Sequence, residues 1–301
     1  MEQTVVAVND LSRSFGTRRA LDGVSFHATA GQVYGLVGAN GAGKTTLIKH
    51  LLGLLRAATG SVRVFGLDPV RDPVGVLGRV GYLSEERELP EWMRIDELMA
   101  YTQAFHATWD VSYARALLET FGLDRSKKVR ELSKGMRAQA GLVAAVAHRP
   151  ELLILDEPSS GLDAVVRRDI LDAIVRTVAD DGRTVIFSSH LLEEVERMSD
   201  HVTMLHGGRV TLSGPLDEVR RGYQRSRVRF AEHFEHPPAL DAALAMEGGG
   251  RMWGVVHSGS LEQFHHSVLA LGGEVVESRD ATLEEIFLAR AGRDRQMVET
   301  P

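Results

Sequence analysis

The chain has 301 residues, 44% of them hydrophobic, with no cysteine and a net charge of −6. That length suits one large domain and a small one, the missing cysteines exclude disulfides and thiolate metal sites, and the acidic balance weighs against non-specific nucleic-acid binding, which needs a basic face. No apolar run approaches the roughly 18 residues of a membrane span, and Met1-Glu2-Gln3 opens without the basic-then-apolar order of a secretory leader, so a soluble, cytoplasmic chain is expected.

Short runs rich in Val, Ile and Leu alternate with helical patterns up to about residue 222. Strands are expected at 4–8, 24–28 and 32–37, and the third runs into Gly38-Ala39-Asn40-Gly41-Ala42-Gly43-Lys44-Thr45-Thr46 and a helix over 45–55. Residues 38–45 fill the pattern G-x-x-x-x-G-K-[ST] in the strand–loop–helix context it requires. Its glycines let successive N–H groups converge into an anion-binding nest at a helix N-terminus. Lys44 can reach β- and γ-phosphates, and the Thr45 hydroxyl can ligate Mg²⁺. Of 35 basic residues only Lys44, Lys49, Lys127, Lys128 and Lys134 are lysine, so lysine at 44 reads as chemically required: a compact ammonium fits a phosphate cage that a planar guanidinium does not. The bland reading, a glycine-rich turn that merely joins strand to helix, leaves this coincidence unexplained.

A strand at 61–65 follows, and then only helical patterns, at 95–106, 112–121 and 135–148, fill the stretch from 86 to 149. An all-helical insertion between sheet strands reads as a subdomain. The next strand, 152–155, is Leu-Leu-Ile-Leu without polar alternation, as expected of a strand covered on both faces. It ends in Asp156-Glu157. Alone, such an ending is a common strand exit; downstream of a complete phosphate loop, Asp156 is placed to hold Mg²⁺ and Glu157 to polarise a water attacking the γ-phosphate. Strands at 184–188 and 201–206 follow. Beyond 222 lies a small α+β pattern: a strand at 227–231, a polar stretch with Pro237-Pro238 and Gly248-Gly249-Gly250, a strand at 252–257, a helix at 261–271, a strand at 274–278 and a helix at 283–291. The tail after Gly292 is expected to be disordered.

Leu132-Ser133-Lys134-Gly135-Met136 opens the helix that precedes the Asp156 strand. With this segment the chain resembles the nucleotide-binding subunits of ATP-binding cassette (ABC) transporters, whose signature reads L-S-G-G-Q. Leu132, Ser133 and Gly135 match; Lys134 and Met136 depart. The resemblance implies an α/β fold: a P-loop NTPase core of the ABC ATPase type with a mixed β-sheet and an inserted helical subdomain (about 86–149) in residues 1–222, and a small C-terminal α+β accessory domain in 223–301. It implies ATP and Mg²⁺ as cofactors, with Lys44, Glu157 and His190 catalytic and with Thr45, Asp156 and Glu85 at the metal. Phe15 resembles the aromatic that stacks on adenine. Glu85, closing Tyr82-Leu83-Ser84-Glu85, stands where the family carries a glutamine that touches Mg²⁺ or the lytic water. Asp163, in Ser160-Gly161-Leu162-Asp163, matches the loop crossing the dimer interface and can equally cap the following helix. His190, directly after Ser188-Ser189, matches the histidine that contacts the γ-phosphate and holds the geometry of Glu157.

In the family Ser133 and Gly135 serve the ATP of the opposite subunit, so the implied partners are a second copy, in a homodimer around two ATP, and an integral membrane permease docked near 87–107. No nucleic acid is implied, and the location is the inner face of the membrane, peripheral, through the permease. Residues 281–288, Ala-Thr-Leu-Glu-Glu-Ile-Phe-Leu, are similar to the segment closing ATPase subunits of ABC-2-type bacterial exporters, which implies export of a drug, antibiotic, lipid or ion. Two other readings stay open: a soluble cassette ATPase without a permease, against which stand the single phosphate loop and the absence of sustained heptads, and a low-turnover regulatory module, motivated by Glu85 and Met136.

Overall fold

The computed structural model describes residues 3–298, and the chain divides into two compact units, Met1–Ser213 and Gly214–Pro301. In the first unit, β1 (Thr4–Phe15) and β2 (Arg18–Thr29) form an antiparallel hairpin with Phe15 opposite Arg18. In β2, Val24, Phe26 and Ala28 are buried while Ser25 and His27 face outward, the period-2 pattern of a sheet with one covered face. β3 (Val33–Val37) is buried along its whole length and leads through the phosphate loop into α1 (Lys44–Leu51). β4 (Thr59–Val64) pairs antiparallel with β1, completing a three-stranded sheet β2-β1-β4. The helix α2 (Pro73–Leu77) starts on proline and is capped by Asp72, whose carboxylate accepts the Gly75 N–H at 2.9 Å. β5 (Val80–Leu83) then enters a second sheet.

The helical insertion holds α3 (Ile95–Gln103), α4 (Val111–Thr120), a 3₁₀ turn at Val129–Glu131 and α5 (Lys134–Val146). It buries its own apolar cluster, including Met93, Ile95, Leu98, Leu118, Val129 and Val143. The chain returns through β6 (Leu152–Asp156), α6 (Ala164–Asp181), β7 (Thr184–Ser189), α7 (Leu192–Met198), β8 (His201–His206) and β9 (Arg209–Pro215). The resulting sheet runs β5-β6-β7-β3-β8-β9. Its first five strands are parallel; β9 follows β8 after only Gly207-Gly208, a connection that can only reverse direction. The main core lies between this sheet, α1 and the antiparallel sheet.

The second unit comprises α8 (Leu216–Arg221), β10 (Tyr223–Phe234), β11 (Ala243–Ser258), α9 (Leu261–Ala270), β12 (Gly273–Asp280) and α10 (Leu283–Val298). Its antiparallel sheet, ordered β11-β10-β12, covers a core of Val228, Phe230, Trp253, Val255, Phe264 and Val268.

Several elements differ from the sequence expectations. β5 is absent from them because it has four residues and one is glycine; β9 is absent because Arg209, Thr211 and Ser213 alternate with its apolar side chains, as befits an edge strand. Gly248-Gly249-Gly250, expected in a connector, lies within β11, where Gly250 stands opposite Phe234 of β10. The division between units falls inside β9, after Ser213, rather than at residue 222, and α8, which packs against β10, goes with the second unit. The tail expected to be disordered after Gly292 is helical as far as Val298, and residues 299–301 lie outside the described residues.

Candidate nucleotide site

β3 delivers the chain to the phosphate loop, and two neighbouring elements press that loop into shape. Gly43, the residue capping α1, has φ 113°, and a side chain there would lie 2.7 Å from the Ala20 carbonyl of β2. At Gly38 a side chain would strike the Leu205 carbonyl of β8. The Gly208 N–H donates to Ala42 O at 3.1 Å, and the Asp22 N–H to Gly208 O at 2.8 Å, tying loop, hairpin and β2 together. The loop therefore curls at the N-terminal end of α1, where backbone N–H groups and the helix dipole favour an anion. It borders a cavity of about 500 Å³ lined also by Phe15, Arg18, Glu85 and Glu157, with Asn40, Gly41, Ala42, Gly43, Lys44, Thr45 and Thr46 from the loop and helix.

The carboxylates come from β6. In the register of the parallel sheet Asp156 sits opposite Ser188 of β7. The Ser188 hydroxyl donates to Asp156 Oδ1 at 2.6 Å and accepts the Glu157 N–H at 2.9 Å, so one buried hydroxyl fixes both acidic residues. Glu157 adopts a left-handed backbone, φ 48°, which costs about 1–2 kcal/mol for a residue with a Cβ and is held by these bonds. Its Oε1 pairs with Lys44 Nζ at 3.0 Å, and the same ammonium donates to Gly38 O at 2.5 Å. Its Oε2 accepts from His190 Nδ1 at 2.7 Å and from the His190 N–H at 3.3 Å. A carboxylate can only accept, so His190 carries its proton on Nδ1 and presents Nε2 outward from a side chain that is 42% exposed. Lys44, Glu157 and His190 thus form one continuous chain. Tyr82 is half-buried on β5, opposite Ile154 of β6; burial first, then the Asp156 and Glu86 charges, push its hydroxyl up to about 12, which keeps it neutral.

Of the residues expected at the site, Gly38, Ser133, Gly135, Asp156, Asp163 and His190 do not border this cavity. Ser133 caps α5, its hydroxyl accepting the Met136 N–H at 3.2 Å, and Asp163 caps α6, accepting from Val165 N–H at 3.0 Å and Val166 N–H at 3.1 Å. Phe15 is 47% exposed at the hairpin tip, with the Arg13 guanidinium 5.0 Å from its ring. Two contributors lie outside the sequence expectations. Arg18 lines the cavity and donates to Gly41 O at 3.0 Å; its pairing with Phe15 across a tight turn would have pointed to it. Ser188 carries a weaker signal: it is one of two adjacent serines that end the buried strand β7. For a metal, no cluster of three or more His, Cys, Asp or Glu stands together among the described residues. Thr45 lines the cavity and Asp156 ends β6 next to Glu157; a hydroxyl and a carboxylate oxygen are hard donors of the kind that suits Mg²⁺.

Residues 21–160 match the family model described as ABC transporter. A daunorubicin resistance ATP-binding protein of Streptomyces coeruleorubidus is 33% identical, covering 99% of this chain and 99% of its own. The bacitracin transport ATP-binding protein of Bacillus licheniformis is 31% identical over 72% of each. A solved ATP-binding subunit of an ABC transporter superposes with TM-score 0.67 and 31% identity, covering 72% of this chain and 92% of the other. The chain belongs to the ABC transporter ATP-binding proteins. As an ABC ATPase it binds ATP and couples its hydrolysis to transport, and an ATP-binding subunit implies a membrane permease as its partner. Among the described residues no helix is long and apolar enough to cross a membrane.

Proposed function

We propose that two copies of this chain close around two Mg²⁺·ATP and drive an exporting permease from the cytoplasmic face of the membrane. The names of its relatives, for daunorubicin resistance and bacitracin transport, favour a drug or antibiotic as cargo. Lys44 and the loop N–H groups hold the phosphates, Phe15 faces the adenine, and Glu85 borders the same cavity. Thr45 and Asp156 would hold Mg²⁺, which when bound neutralises charge on the β- and γ-oxygens. Glu157 takes the proton of the attacking water while His190 fixes the direction of its carboxylate. Ser133 and Gly135, at the N-terminus of α5, where backbone N–H groups favour an anion, face the nucleotide of the second copy, and Asp163 lies on the crossing loop.

The observation that carries this reading is the contact chain Lys44–Glu157–His190 at the edge of the phosphate loop. Glu157→Gln should slow hydrolysis by roughly 10²–10⁴-fold while ATP still binds; parent-like turnover would remove Glu157 as the base. Ser133→Arg should abolish ATP-dependent dimerisation, measured by light scattering, and leave nucleotide binding by the monomer intact. An unchanged dimer would sink the shared site.

A further inference from the structure

The loop from Glu157 to Asp163 is held from two sides by buried charges. On one side Glu194 of α7, 6% exposed, accepts from both Ser159 Oγ and Ser189 Oγ at 2.8 Å through the same Oε2; Ser189 immediately precedes His190. On the other side Arg87, 5% exposed, donates from Nη2 to Pro158 O at 3.0 Å and to Ser160 O at 2.9 Å. Arg87 makes no ion pair among the described residues, and its Nε and Nη1 are buried without a hydrogen-bond partner. Burial disfavours the charge and the Glu85 carboxylate acts the other way; an apolar side chain would fill the space without the cost of desolvating a cation. What the guanidinium adds is a pair of bonds to two carbonyls of one loop.

Its own backbone is also constrained. Arg87 is left-handed, φ 51°, and its N–H is held by Ser84 O and Ser84 Oγ, each at 3.2 Å. Two residues earlier, Glu85 lines the nucleotide cavity. Arg87 itself lines a second cavity of about 750 Å³, walled by Val74, Leu77, Tyr82, Phe105 and His148. One side chain therefore reaches from the wall of that cavity to the main chain just beyond the catalytic carboxylate.

We propose that Arg87 is a positioning residue for ATP hydrolysis: by gripping Pro158 O and Ser160 O it fixes the direction of Glu157. This rests on Glu157 being the base. Arg87 touches no reacting atom; it acts because Glu157, on a left-handed backbone, aims its side chain according to where the following residues are held. Glu194 holds the same loop to the strand end that carries His190, so the two charges together set the distance between base and histidine.

The test is a cycle of purified variants. Arg87→Met keeps the alkyl bulk and removes both donors. Its kcat should fall roughly 10-fold, with KM for ATP, ATP affinity and Tm near the parent values, and Arg87→Lys should recover part of the loss. In single-turnover measurements, Arg87→Met added to Glu157→Gln should cost nothing further, because the group through which Arg87 acts is already gone. A full additional loss in the double variant, or weakened ATP binding by folded Arg87→Met, overturns the proposal. If Arg87→Met does not fold, the cycle is run with Arg87→Lys: a kcat loss that vanishes beside Glu157→Gln supports the assignment, and one that persists overturns it. Parent-like hydrolysis by Glu157→Gln alone would defeat the base assignment, an outcome visible without any Arg87 variant.

Discussion

Each unit buries a polar arrangement around a histidine, and the two differ in access rather than ingredients. In the first, His190 donates to Glu157 beside a cavity of about 500 Å³ and keeps 42% of its side chain exposed. In the second, His257 is 0% exposed; its Nε2 lies 2.9 Å from Ser226 Oγ, which also meets Ser278 Oγ at 2.9 Å, and its ring stacks on Phe264 at 3.6 Å. A serine–histidine contact buried under a helix has no route for a substrate, so it can only organise a core. Residue type and hydrogen-bond distance are alike at the two histidines; solvent access and a neighbouring phosphate loop are what separate them.

The largest effect that sharpens this contrast is expected at Lys44. Lys44→Ala removes a charge-assisted phosphate contact and leaves Glu157 buried without its cation, so ATP affinity should fall by roughly 100-fold or more in equilibrium binding. Next come the histidines themselves. His190→Ala should lower kcat by roughly 100-fold with little change in Tm, whereas His257→Ala should cost about 2–3 kcal/mol of stability and leave turnover per folded molecule unchanged. Slowed turnover in folded His257→Ala would break the comparison.

Acid sharpens it further. Burial chiefly, and the neighbouring His265, push His257 down to about 4, and His148, buried beside the stacked His106, is likewise lowered to about 4, again chiefly by burial. Both are neutral in the folded chain while the unfolded chain takes up their protons near 6.5. The stability each contributes is therefore complete above pH 6.5 and lost as pH falls towards 4, by about 3 kcal/mol per histidine. His148→Gln should flatten the acid limb of urea-unfolding stability in that window; an unchanged slope would contradict the assignment. The smallest effect is expected at the start of α10, where Thr282 Oγ1 accepts the Glu285 N–H at 3.3 Å and Glu285 Oε2 accepts the Thr282 N–H at 2.9 Å. Thr282→Ala should cost about 1 kcal/mol with ATP hydrolysis unaltered.

What was legible in the sequence was local. The phosphate loop needs a strand, a run of glycines and a helix within a few residues, and all of it is written consecutively from Val33 to Leu51. The apolar strand ending in Asp156-Glu157 is equally self-contained. That Lys44 and Glu157 meet at 3.0 Å is not, because it depends on β3 and β6 flanking β7 in a sheet whose register no short window encodes. Ser188 reaches Asp156 only through that register, Arg18 enters the site only because the hairpin folds it back over the loop, and Arg87 gains its role from carbonyls that carry no side-chain signal. Gly248–Gly250 and β9 were obscured for the opposite reason: edge and glycine-rich strands are made by their partners.

The dependence of the phosphate loop on Ala20, Leu205 and Gly208 also sets a timetable for synthesis. The motif leaves the ribosome early, yet β3 lies between β7 and β8, its Val33 N–H is held by Asp200 at 2.8 Å, and Glu157 is fixed by Ser188. At ~5–20 residues per second, roughly ten to thirty seconds separate emergence of the loop from emergence of the strands that shape it. A nascent chain of this protein should therefore acquire ATP affinity late, after β8 and Gly208 have cleared the exit tunnel.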